Sequence, residues 1–167
     1  NLVLPIKLTP VDATQPIKLE LSAQLGICLD ICVPIFLSFS QQLDPLQQRA
    51  DPVTLFALAN QPVPRAKSNL QKLDCTFTPH KEAILITVNA AIPSLGAPER
   101  LIIEYKQKNH WVIMEPTRRE GSMLHALGYL TDEVGAAPNS VSRQKIQITA
   151  IGSSGAADLG DCTVQPK

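Results

Sequence analysis

Four cysteines hold most of the chemistry this chain can offer. Cys28 and Cys32 stand with three residues between them in "GICLDICVP", while Cys75 and Cys162 lie far apart in "DCTFTP" and "GDC". Thiols can staple a fold, hold a soft metal, or exchange electrons by attack of a thiolate on a disulfide sulfur. The even count, with no paired C-x2-C unit and no histidine at ligand spacing, argues against a zinc framework. Two disulfides in an oxidising compartment fit better.

Geometry separates the two pairs. In a straight strand, residues i and i+4 lie about 13 Å apart, whereas a disulfide needs Cα atoms within about 7 Å. A bond between Cys28 and Cys32 therefore requires residues 29–31 to bend as a hairpin tip, a bulge or a helical turn, and strand-like runs on both sides favour the hairpin. The ring so closed is tiny, which makes it a weak staple and an easily reduced one. Joining Cys75 to Cys162 closes a far longer loop, worth about 4 to 5 kcal/mol in the chain-entropy model. These two frame the second half of the chain, one on its first expected strand and one on its last, and read as a structural bridge. For Cys28 and Cys32, an inert local disulfide and a Cu(I) thiolate site stand beside the exchange reading, although no methionine or histidine lies near them in sequence. Asp30, between the thiols, disfavours a thiolate, and Lys7 or Lys18 from neighbouring strands would favour one.

The elements that must position these residues are strands. Residues 16–24 alternate, with Ile17, Leu19, Leu21 and Ala23 on one face and Lys18, Glu20, Ser22 and Gln24 on the other. "PIFLSFS" sets Ile35, Leu37 and Phe39 against Phe36, Ser38 and Ser40, so the cysteine element joins two strands. "LVLPIKLTP" is expected to add a short strand at an edge or bend because of Pro5. Asp51 as N-cap and Pro52 in the first turn begin a short helix carrying Leu55, Phe56, Leu58 and Ala59. Residues 61–70 read as a linker, between a first domain at 1–60 and a second at 71–167. The second domain shows strands at 73–77, 83–88, 101–105, 111–115, 123–130 and 145–151, with a last one near 161–164. Short strands punctuated by turn residues are the pattern of an all-β fold, an immunoglobulin-like β-sandwich. Three strands in residues 1–40 cannot close such a sandwich. The opening at Asn1 reads as a cut, so the first domain is expected to be incomplete here and the second complete. Pairing of the open strands in a homodimer is the other expectation.

Charge and the remaining residues narrow the function. Fifteen basic and fifteen acidic residues balance, which leaves no basic face for nucleic acid or a membrane surface. No apolar run reaches the length of a membrane span. Trp111 in "HWVIM" is expected in the core of the second sandwich. His80, His110 and His125 read as structural or surface residues. "EPTRREG" reads as a solvated turn from which Arg118 and Arg119 could meet a partner. No catalytic triad, phosphate loop or carboxylate pair is present, and neither a cofactor nor a metal is expected.

Residues 4–34, "LPIKLTPVDATQPIKLELSAQLGICLDICVP", resemble the end of the periplasmic N-terminal domain of DsbD-type thiol:disulfide interchange proteins, in the ScsB-like (suppressor of copper sensitivity) branch, where a paired strand runs into a C-x-x-x-C-[VI]-P element. The segments around Cys75 and Cys162 are similar to the second sandwich of that branch. The resemblance implies an immunoglobulin-like periplasmic domain. In it Cys28 and Cys32 take electrons from a thioredoxin-like or membrane donor domain and pass them to oxidised periplasmic proteins. The cysteines stand closer together than in the better-known DsbD domains, which implies a different potential and different partners. The family's shielding cap loop lies upstream of this element. The other reading is a non-catalytic binding or scaffold module with two structural disulfides, linked to copper tolerance.

Overall fold

Alternating apolar and polar residues, punctuated by proline and glycine, produce a chain of antiparallel strands. The structure, a computed structural model, describes residues 3–12, 14–28, 32–44 and 51–163, with the backbone alone at residues 27, 28 and 32. It divides into two units, Asn1–Ala59 and Asn60–Lys167.

The first unit is built on one long hairpin. Strand β1 (Ile17–Cys28) pairs antiparallel with β2 (Cys32–Leu43) in unbroken register from Ile17 opposite Leu43 to Cys28 opposite Cys32. One face carries Leu19, Leu21, Ala23 and Leu25 beside Ile35, Leu37, Phe39 and Leu43. The other carries Lys18, Glu20, Ser22, Gln24 and Gly26, facing Gln42, Ser40, Ser38, Phe36 and Pro34. The expected strand in "LVLPIKLTP" does not form: residues 3–10 make no ladder, since Pro5 and Pro10 have no N–H to give one. Helix α1 (Pro52–Ala59) follows. Asp51 caps it, its Oδ1 accepting from the Val53 and Thr54 amides at 2.9 and 3.0 Å. Leu55, Phe56 and Leu58 on this helix are exposed.

The second unit is a two-layer sandwich. One sheet has the order β3 (Lys72–His80), β4 (Ala83–Ala91), β8 (Met123–Asp132), β6 (His110–Met114), with β7 (Arg118–Glu120) also on β8; the other runs β10 (Gly155–Gly160), β9 (Ile146–Gly152), β5 (Arg100–Tyr105). Alternate residues meet in the core: Ile86, Val88, Leu124 and Leu130 from one sheet, Leu101, Ile103, Ile148 and Leu159 from the other. Gly128 faces inward, where a Cβ would lie 2.6 Å from Val112 Cγ1, so its missing side chain is the space that β6 fills.

Three expectations change here. Residues 61–70, read as a linker, are held to the sandwich: the Val63 amide donates to Ala156 O and its carbonyl accepts from Asp158 N, both at 2.9 Å, and Ser68 is buried. An extended valine between two prolines presents just the N–H and C=O that an open sheet edge can pair with. The last strand is 155–160, not 161–164, because "GSSG" turns the chain straight back along β9; Val164 lies outside the described residues. Cys162 accordingly follows the last strand.

Candidate functional site

The hairpin brings Cys28 and Cys32 together from the backbone up. Directly opposed residues in an antiparallel pair have Cα atoms about 4.5 to 5.5 Å apart, inside the range a disulfide spans. The register opposes these two cysteines as the last pair before residues 29–31. The tip itself, with Asp30 and its expected effect on a thiolate, lies outside the described residues. Alternation places both cysteine positions in the polar row, next to Gly26 opposite Pro34 and then Gln24 opposite Phe36. That row has one large apolar member among its described residues, Phe36, which is 74% exposed. Beside it lies a shallow depression of about 390 Å³, lined by Ser22, Ala23, Gln24, Phe36, Leu37 and Ser38. In the sequence, the signal for Phe36 is an aromatic among the serines and glutamines of the polar row.

Lys18 cannot assist a thiolate at Cys28. It sits ten residues back along β1, about 33 Å at strand rise, and pairs with Glu20 at 2.6 Å.

Cys75 and Cys162 are joined, with Cα atoms 5.7 Å apart. Cys75 lies on β3 of one sheet and Cys162 follows β10 of the other, so the bond crosses the sandwich. Arg143 brackets it: Nη1 donates to Cys75 O at 3.1 Å and Cys162 O at 3.4 Å, and the guanidinium lies 4.7 Å from the Phe77 ring centroid. Cys162 is 4% exposed, a burial that keeps an attacking thiolate out.

Trp111 corrects its core expectation. It is 63% exposed, next to Ile113 at 62% on the same outer face of β6, while Val112 and Met114 turn inward. Arg119 corrects another, being committed to Glu99, Ile92 O and Gly121 O inside the fold. His125 Nδ1 lies 2.6 Å from Asn89 Oδ1, the His110 ring packs edge-on to Tyr105, and the His80 ring lies 5.6 Å from that of Tyr129. Among the described residues no group of three or more His, Cys, Asp or Glu could hold a metal ion, and no helix is long and apolar enough to cross a membrane.

No family model and no curated protein matches the sequence. Among solved structures, the chain is similar to the N-terminal periplasmic domain of ScsB from Proteus mirabilis, with a TM-score of 0.59 at 14% identity over 86% of this chain. The chain has the fold of that ScsB domain. It spans 58% of the ScsB chain's length. The likeness to ScsB agrees with the resemblance carried by the cysteine element, and the all-β, immunoglobulin-like architecture expected from the strand pattern is the one observed. At this identity the ScsB comparison speaks for the fold; the chemistry rests on the residues of this chain.

Proposed function

We propose that the chain is a periplasmic thiol-disulfide exchange module acting through Cys28 and Cys32. The observation that carries this reading is the register that opposes the two cysteines at the end of a hairpin, in the row not used for apolar packing. The ScsB-like fold and the contrast with the long-range Cys75–Cys162 bridge, whose cysteines stand 87 residues apart in sequence, support it.

In the reduced module, one thiolate attacks a sulfur of an oxidised substrate protein. A mixed disulfide forms and the first substrate sulfur leaves as a thiolate that takes up a proton. The second cysteine then attacks the module's own sulfur in the mixed disulfide. The Cys28–Cys32 bond closes, the second substrate thiol is released, and two electrons have passed to the substrate. A thioredoxin-like or membrane donor domain returns two electrons by the reverse sequence. Closing so short a ring is worth about 2 kcal/mol in the chain-entropy model, against about 4 to 5 for the long bridge, so the short pair opens first.

Equilibration of the folded protein against glutathione buffers, read by mass spectrometry after alkylation, tests this. An exchanging pair comes to equilibrium well above about −300 mV, with Cys75 and Cys162 still joined. A Cys28–Cys32 bond that resists these buffers and a reduced thioredoxin leaves the scaffold reading in its place.

A further inference from the structure

Resting on that reading, we propose that Phe36 is the docking anchor for the exchange partner, taking the extended segment that carries the partner's reactive cysteine. Exchange needs the partner sulfur within bonding distance of Cys28 or Cys32, so the partner must cover the row those cysteines occupy. Docking is therefore continuous with the exchange site, and the composition of the row selects what can lie there.

Going away from the cysteines, the first pair in the row is Gly26 opposite Pro34 and the next is Gln24 opposite Phe36. Gly26 has no side chain to stand in the way. Phe36 is four residues from Cys32, about 13 Å along the strand, the reach of four extended residues of a partner. Its ring is 74% exposed and borders the depression of about 390 Å³ lined also by Ser22, Gln24 and Ser38. That volume is enough to accept an apolar side chain flanking the partner cysteine. Near the ring the row is uncharged, and its described charges, Lys18 and Glu20, neutralise one another at 2.6 Å at the far end. The surface thus suits an uncharged apolar segment held by an aromatic contact, and steering by charge has no part in it.

The experiment compares two probes on the full chain, reduced thioredoxin as a protein thiol and reduced glutathione as a small one, for the wild type, Phe36→Ala and Phe36→Tyr. The expected result is a drop of about tenfold or more in the thioredoxin rate for Phe36→Ala, the loss of one anchoring contact. The glutathione rate and the circular dichroism spectrum stay unchanged, Phe36→Tyr restores the thioredoxin rate, and that rate does not vary with ionic strength. Equal rates for Phe36→Ala and wild type with thioredoxin overturn the proposal, as does a parallel fall with both probes, which would place the effect in the disulfide itself. A wild type inert to both probes overturns the exchange reading and docking with it, whereas a wild type that exchanges while Phe36→Ala matches it sinks docking alone.

Discussion

The guanidinium of Arg119 grips Glu99 with both arms, Nη2 donating to Oε1 at 2.8 Å and Nε to Oε2, where the Glu99 side chain is only 7% exposed. The same arginine donates through Nη1 to Ile92 O at 3.1 Å, and Oε1 of Glu99 accepts the Leu95 amide at 2.8 Å. One ion pair thereby fixes the loop between β4 and β5 to strand β7. Removing the cation leaves a buried carboxylate and an orphaned carbonyl. Arg119→Ala is expected to destabilise the second unit by about 3 kcal/mol, read from the urea midpoint at neutral pH. A loss under about 1 kcal/mol would show that water replaces the guanidinium freely.

The same pair sets an acid dependence. Hydrogen bonds from Arg119 hold the Glu99 carboxyl below its ordinary value of 4.5, against the opposing effect of burial. A carboxyl depressed in the folded state binds fewer protons there than in the unfolded chain. Its contribution is therefore complete above about pH 4.5 and is lost as pH falls through the lower folded value. Asp161, depressed chiefly by its hydrogen bond from the Thr163 hydroxyl, acts in the same direction. The urea midpoint of Glu99→Gln is expected to fall less steeply with acid than that of the wild type. Parallel curves would assign the acid sensitivity to other groups.

Trp111 gives a test in which sequence and structure disagree. In "HWVIM" the four residues Trp111 to Met114 are all apolar, so alternation alone cannot say which face is inside. Pairing with β8 decides it: Met114 opposes Gly128, whose missing side chain makes room on the inner face, and Trp111 opposes Thr131 on the outer one. Trp111→Ala is expected to change stability by no more than about 0.5 kcal/mol, the range of surface substitutions. The indole of the wild type should be quenched by iodide. A large loss of stability, or a shielded indole, would return the ring to an interior.

What could be read from the chain follows from how local the signal was. Strict alternation in residues 16–24 marks β1, and proline-flanked alternation marks β2. Two strands either side of a three-residue gap leave little choice of register, so the meeting of Cys28 and Cys32 was legible. Asp51 before Pro52 marked α1 equally well, since cap and first turn are neighbours in sequence. The apolar residues of 3–10 suggest a strand that does not form, because apolar character is a weaker constraint than the two prolines, Pro5 and Pro10. Glu99 and Arg119 stand twenty residues apart on a loop and a short strand, and nothing periodic connects them. Arg143, which brackets the Cys75–Cys162 bond, is likewise placed by tertiary structure alone. Val63 is the same case, its pairing with β10 having no local signal because it depends on the edge of that sheet.

The two units should also separate in their capacity to fold. None of the described side chains within residues 1–59 is buried, and the apolar row of β1 and β2, from Leu19 to Leu25 and from Ile35 to Leu43, covers one side of a two-stranded sheet. Such a hairpin is marginal in water, and a helix of eight residues is shorter than an isolated helix needs. Residues 60–167 hold the sandwich core and the Cys75–Cys162 bond. Prepared as separate polypeptides, 60–167 is expected to unfold in one cooperative transition and 1–59 to show none, by circular dichroism during a thermal scan. Cys28 and Cys32 then sit on the less stable of the two units, and the exchange proposed for them should depend on whatever covers the apolar row. A cooperative transition in 1–59 alone would show that the hairpin and α1 bury that row by themselves.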